Sequence, residues 1–230
     1  MRAKTHFLRT ASLLILSAAA ASTHAATMTY DNEADFTTAI AGLSSNTIDF
    51  DSATAGDLVL PGSQFDGVTF DYSLDYDLSV DATYDTTSSS NYLGINDFDG
   101  RFAGGDSFVM TFGSAQSAIG LYIHIGFESL LLDNDITLTT NTGLVANLSA
   151  NADQQLLDGE AYFIGLYSDS AADAFTSVSF SSFPEDYYFN VDDITFAQMS
   201  SPPSAVSEPS SLILLSLALG GLIRLRKSTC

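Results

Sequence analysis

The sequence predicts an all-β protein, an antiparallel β-sandwich of jelly-roll-like winding with one short N-terminal helix. Apolar and polar residues alternate at period two in many short runs, the mark of strands with one buried face. Clusters of Gly, Asn, Asp and Ser separate those runs, often at about ten-residue spacing, as turns between antiparallel strands do. Only one stretch carries a helical repeat. Residues 26–199 form a body of single-domain length with room for a real core.

The helix comes first, over residues 33–41, with Asp31 or Asn32 as its cap and Phe36, Ala39 and Ile40 on its apolar side. Strands follow at 68–74, 108–112, 119–125, 136–138, 144–148, 162–167 and 178–183. In 119–125 the residues Ile119, Leu121, Ile123 and Ile125 share the core face, so Tyr122 and His124 point outward, where a strand histidine is solvated or covers the sheet. Residues 86–90, Thr-Thr-Ser-Ser-Ser, read as a loop. The closing strand, 187–196, has a phase conflict: Phe189 and Val191 share one face, Ile194 and Phe196 the other. Both pairs reach the core only if one extra residue is inserted at Asp192-Asp193, a β-bulge.

The two ends of the chain differ from its body. Arg2, Lys4 and Arg9 precede the apolar run 11–21, and Thr23-His-Ala25 places small residues for cleavage after Ala25, so residues 1–25 read as a signal peptide. Residues 200–208 form a Pro/Ser linker, and 209–230 a hydrophobic helix with a basic stop at Arg224, Arg226 and Lys227. The apolar run 212–223 would rise about 18 Å as a helix, against a hydrocarbon core of about 30 Å. Counting 209–225 as buried gives 17 residues, the lower limit for a transmembrane helix. Such a tail suits either an anchor or a targeting signal that is later removed.

Val206-Ser-Glu-Pro209, the hydrophobic helix and the Arg-rich end resemble the PEP-CTERM sorting signal of Gram-negative bacteria, with Ser207 in place of the usual first proline. The resemblance implies recognition by an exosortase-type membrane protease, transient or permanent membrane attachment, and delivery to the cell surface or extracellular matrix of an exopolysaccharide-producing, biofilm-forming bacterium.

Composition narrows the chemistry. Between Ala26 and Ser207 stand 27 Asp and Glu and a single basic residue, Arg101, a balance of about −26 against −21 for the whole chain. A nucleic-acid partner is excluded, because binding one needs clustered Lys or Arg. That segment holds no Cys and no Lys, and its one histidine, His124, is the only base a Ser-His-Asp triad could use. No Gly-x-Ser-x-Gly elbow or His-rich metal motif is present, so no catalytic residue is assigned. Cys230 is the lone cysteine and cannot form an intramolecular disulfide.

Two blocks of the body, 48–70 and 187–196, resemble exported carbohydrate-binding-module-like sandwiches. A bulge carrying Asp192 and Asp193 aims oxygens at one point, which suits Ca²⁺. In the resembling sandwiches a similar aspartate helps hold a structural Ca²⁺. Residues 96–106 place Asp97, Asp99 and Asp106 at EF-hand-like positions 3, 5 and 12, but Ile95 stands at position 1 and no helices flank it, leaving an irregular Ca²⁺ loop or a plain Gly/Asp hairpin. With no Trp in the chain, sugar platforms would be tyrosines, and Tyr76 and Tyr84 in the Asp-rich loop region are the candidates; Tyr72 falls on a core face. The sequence therefore points first to a non-catalytic exported surface or matrix protein. The alternatives are a Ca²⁺-supported polysaccharide-binding module and an extracellular carbohydrate-active enzyme using paired carboxylates.

Overall fold

The structure, a computed structural model, describes residues 27–199. The expected signal peptide, the linker and the C-terminal helix, with the sorting-motif residues Val206, Ser207, Glu208, Pro209, Arg224, Arg226 and Lys227, lie outside the described residues. Among the described residues no helix is long and apolar enough to cross a membrane.

Two antiparallel sheets make the body. In chain order the elements are β1 (Thr27–Tyr30), α1 (Glu33–Ile40), β2 (Ser44–Ile48), β3 (Leu58–Val59), β4 (Gln64–Phe65), β5 (Val68–Tyr72), β6 (Leu78–Asp81), β7 (Tyr92–Ile95) and β8 (Phe102–Ala103). They continue with β9 (Ser107–Gln116), β10 (Ala118–Gly126), β11 (Ile136–Thr140), β12 (Val145–Asn147), β13 (Gln154–Gln155), β14 (Gly159–Ser168), β15 (Phe175–Ser182) and β16 (Tyr188–Gln198). The first sheet runs β1-β14-β10-β16-β7-β6-β3, with β13 on β14 and with β2 and β8 also on β16. The second runs β12-β11-β15-β9-β5-β4. The long strands β9, β10, β11, β14, β15 and β16 alternate between the two sheets, so the chain winds back and forth across one core.

That core is filled by the inward residues of both sheets, as period-two alternation requires. At its centre Phe108 stacks on Phe180 at 4.7 Å and Phe102 on Phe189 at 5.1 Å, all four buried. The expected bulge is present. Gly120 pairs with Thr195 and Tyr122 with Asp192, so Leu121 faces two residues, and Asp193 takes the left-handed φ of 49°. The insertion brings Val191 and Ile194 alike to full burial, with Phe196 packed against the same core.

The outer face of the first sheet is covered. Helix α1 begins after Asn32, whose side chain accepts from the Asp35 N–H, and it buries Phe36 and Ile40 as expected. Phe36 rests where Gly120 and Gly165 face each other in register; a Cβ on Gly120 would stand 2.5 Å from the Phe163 ring and 2.9 Å from Phe36. Beside the helix, residues 83–91 form a strap over β10 and β16. Among the described residues no such cover lies on the outer face of the second sheet.

The strands also define two poles. Thr27 pairs with Ser168, Ala118 with Tyr167 and Ala197, and Ser44 with Gln198, so both ends of the described chain emerge at one pole. The connections 73–77, 96–101, 127–135, 148–158 and 183–187 gather at the other.

Candidate functional site

At the loop pole a depression of about 200 Å³ is walled by Tyr76, Tyr188, Leu74 and Ile95, with Asp75, Asp97, Asp106 and Arg101 around it. Tyr76 is 53% and Tyr188 40% exposed. Among the described residues, eight of the twelve large exposed apolar side chains belong to this pole, which sets it apart from a merely solvated loop end. Each residue has a local reason for its place. Asp97 Oδ1 accepts from the N–H groups of Asp99 and Gly100 and so turns the chain, while Gly100 takes a φ of 71°. Asp106 Oδ2 accepts from the Ala103 N–H and closes the next turn. Burial, only partly offset by that bond, raises the Asp106 carboxyl above its ordinary range, and the charges of Asp75 and Asp97 push it further the same way.

Arg101 anchors the rim. Its guanidinium lies between two rings, 4.5 Å from the Tyr84 centroid and 5.2 Å from that of Tyr188. Nε and Nη2 donate to Asp99 at 3.0 and 2.8 Å, and Nη1 donates to Glu128. Burial works against the charge, but Glu128 and Asp99 hold the Arg101 pKa above its usual value. The body's only cation is thus spoken for internally and offers little to an anionic ligand.

The structure sorts the residues singled out in the sequence. Tyr76, Asp97 and Asp106 meet in the pocket. Asp99 and Tyr84 stand beside it, bonded to each other at 3.0 Å, and serve Arg101. Tyr84 is half-buried there and works as a prop for the guanidinium instead of a free platform. Tyr72 is structural as expected: its hydroxyl donates to the Val59 carbonyl and accepts from the Leu78 N–H. Tyr188 and Asp75 complete the pocket without having been singled out for it. Strand periodicity gives Tyr188 a face, but only the tertiary gathering of loops gives it neighbours.

Asp192 and Asp193 lie elsewhere, beneath the strap. Thr86 and Ser88 donate to Asp192 Oδ2, and Thr87 donates to Asp193 Oδ2 at 2.7 Å. Burial and then the neighbouring Asp193 charge push the Asp192 carboxyl up to about 8, so it is mostly protonated at neutral pH. The strap itself is held by Asp51, which accepts from the N–H groups of Ser89, Ser90 and Asn91; these bonds overcome burial and draw its pKa far down. The hydroxyl run read as a plain loop is therefore the partner of these aspartates. Its signal was the run of five consecutive hydroxyl residues.

His124 points outward as the alternation predicts, but it is not solvated: the strap leaves it 2% exposed. Thr87 gives its own proton to Asp193, so His124 Nε2, 3.0 Å away, donates to the Thr87 oxygen and Nδ1 keeps a bare lone pair. Burial holds the His124 pKa down to about 3. The cavity at its side measures about 10 Å³, room for roughly one water. For Ca²⁺ the donor sets are dispersed. Among the described residues no three His, Cys, Asp or Glu side chains stand close enough to hold a metal ion together, and one oxygen each of Asp192 and Asp193 accepts from hydroxyls of the strap.

No protein-family model matches the sequence, and no curated protein matches it. Among solved structures, the K2 cleaved adhesin domain of Lys-gingipain overlays with a TM-score of 0.40 at 13% identity, over 67% of this chain and 100% of that one. A likeness this slight carries no argument about function.

Proposed function

We propose that the protein is a non-catalytic, exported glycan-binding protein of the cell surface or extracellular matrix, and that the loop-pole pocket is its binding site. The observation that carries this reading is the pairing of two exposed tyrosine rings with three carboxylates in one depression. A sugar ring offers apolar C–H faces to an aromatic side chain and hydroxyl donors to carboxylate acceptors, and this pocket supplies both. The acidic body favours a ligand without acidic groups. Retention of the purified protein on its organism's own exopolysaccharide tests the reading. Tyr188→Ala and Tyr76→Ala should each weaken retention several-fold; retention unchanged in both variants would sink the pocket as the site.

Export and sorting by the PEP-CTERM-type tail belong to the same proposal, with an exosortase-type protease as the partner. Mass spectrometry of the mature protein checks it: a C-terminus near residue 209 supports processing, and an intact Cys230 opposes it.

One observation favours a second reading, a carbohydrate-active enzyme. Asp106, its carboxyl raised by burial, lines the same depression as Asp75 and Asp97, the kind of carboxylate grouping such an enzyme draws on. Incubating the glycan with the protein and sizing the products separates the two readings: chain shortening that Asp106→Asn abolishes would favour the enzyme.

A further inference from the structure

We infer that the glycan is bound as an extended chain, running out of the loop pocket across the outer face of the second sheet. This rests on the glycan-binding reading and assigns a second, larger part to its site.

The outer face is a regular hydroxyl lattice. Register places Ser107, Ser181 and Thr137 in one row across β9, β15 and β11. The next row holds Asp71, Val109, Ser179 and Thr139, and a third holds Thr69, Thr111 and Ser177. Neighbouring strands lie about 4.8 Å apart and successive rows about 6.7 Å, so eight hydroxyls present donors and acceptors on a near-regular grid. Asp71 is the only carboxylate in these rows, on a body that carries 27 Asp and Glu between Ala26 and Ser207. Only Thr137 is engaged with another side chain among the described residues, through Asn147 at 3.1 Å; the rest are free to bond a ligand.

The lattice is dished, and its trough adjoins the pocket along the chain. A trough of about 330 Å³ lies over β5, β9 and β15, bounded by Asp71, Ser73, Ser107, Val109, Ser179 and Ser181. Consecutive residues lead from one depression to the other: 71–73 line the trough and 74–76 the pocket, while Ser107 lines the trough and Asp106 the pocket. The pocket alone is smaller than the 300–1,000 Å³ of ordinary ligand sites, and the two joined fall within that range. Chemistry selects the occupant. A protein partner would want an apolar centre, and these rows offer only Val109. An anionic polymer would meet the field of the body. A polyhydroxylated chain without acidic groups matches the lattice donor for acceptor.

The experiment measures affinity against chain length. The probe is the uncharged fraction of the organism's exopolysaccharide, partly hydrolysed and separated into oligomers of two, four and six sugars. For the unaltered protein, affinity is expected to rise at least tenfold from the shortest to the longest. The double variant Ser179→Glu, Val109→Glu, both outward positions, should lose that gain yet bind the shortest oligomer normally, whereas Tyr188→Ala should weaken every length. Thermal melts confirm that the variants are folded. Affinity independent of length, or an undiminished gain in the double variant, overturns the extended track while leaving the pocket standing. Failure of every oligomer to bind overturns the glycan reading itself, and the track with it.

Discussion

Asp192→Asn is expected to flatten a pH dependence of stability that the native chain shows between about pH 6 and 8. Asp192 is fully buried beneath the strap, with two hydroxyls on Oδ2 and no partner on Oδ1. Burial, then the charge of Asp193, lifts its carboxyl from 3.8 to about 8. Above about pH 4 the unfolded chain has released this proton and the folded chain still holds it. The stabilisation is whole below the unfolded value, shrinks as pH rises, and is gone once pH passes the folded value. Each pH unit in between is worth about 1.4 kcal/mol, so the step from pH 6 to 8 costs roughly 2 kcal/mol, or about 4–8 °C in Tm for a domain of this size.

Ordinary carboxylates and Asp51 are ionised throughout this window. His124 is neutral in the fold, held down at about 3, but takes up a proton near pH 6.5 when unfolded, so it adds an opposing gain in stability of about 0.8 kcal/mol from pH 6 to 8 that both chains share. Asp193 faces Glu33, Asp49 and Asp51 and is itself raised by burial, so it contributes in the same sense and survives in the variant. Asparagine keeps an acceptor for Thr86 and Ser88 but cannot ionise. Thermal melts of both chains at pH 6, 7 and 8 and constant ionic strength make the comparison. The native Tm should fall relative to the variant's by about 4–8 °C between pH 6 and 8; equal slopes would refute the reasoning.

Arg101→Ala removes a cation packed between two rings, and with Asp99 and Glu128 partly exposed and screened the cost should be about 2 kcal/mol, read from a denaturant midpoint. Arg101→Lys should recover only part of it, since an ammonium cannot reproduce the planar fork. Gly120→Ala drives a methyl into Phe163 and Phe36 and should cost about 1–3 kcal/mol, whereas Gly113→Ala, with nothing within 4 Å, should be nearly neutral. Added CaCl₂ is the test of the Ca²⁺ expectation: a structural site raises Tm well beyond NaCl of equal ionic strength, whereas an equal rise reports only screening of the acidic body. A clearly larger rise with CaCl₂ would show a Ca²⁺ site among the aspartates.

Much of the fold was legible because short-range patterns determine it. Asn32 and the Phe36/Ile40 spacing marked the helix, and the phase conflict between Phe189/Val191 and Ile194/Phe196 could be met only by a bulge. The short strands were not legible. β2 reads Ser-Ser-Asn-Thr-Ile, with no alternation to notice, and it forms because β16 offers an edge to β8, β7 and β2 in turn. His124 shows the same limit: periodicity set its direction, but its burial depends on a strap whose residues 85–90 contain no apolar side chain. Tyr76 stood out by its Asp-rich surroundings. Tyr188 did not, because its importance comes from neighbours distant in sequence.

The two poles have a practical and a biological consequence. β16 spans the body from Tyr188, beside the pocket, to Gln198 at the opposite pole, and 11 residues at about 3.3 Å each set these points roughly 35 Å apart. The point where the described chain ends, Met199, therefore lies at the pole opposite the tyrosine pocket. A sensor surface or bead coupled there leaves the binding pole open. Attachment of the proposed glycan binder through that end would leave its pocket on the far side of the body, like the tip of a bristle.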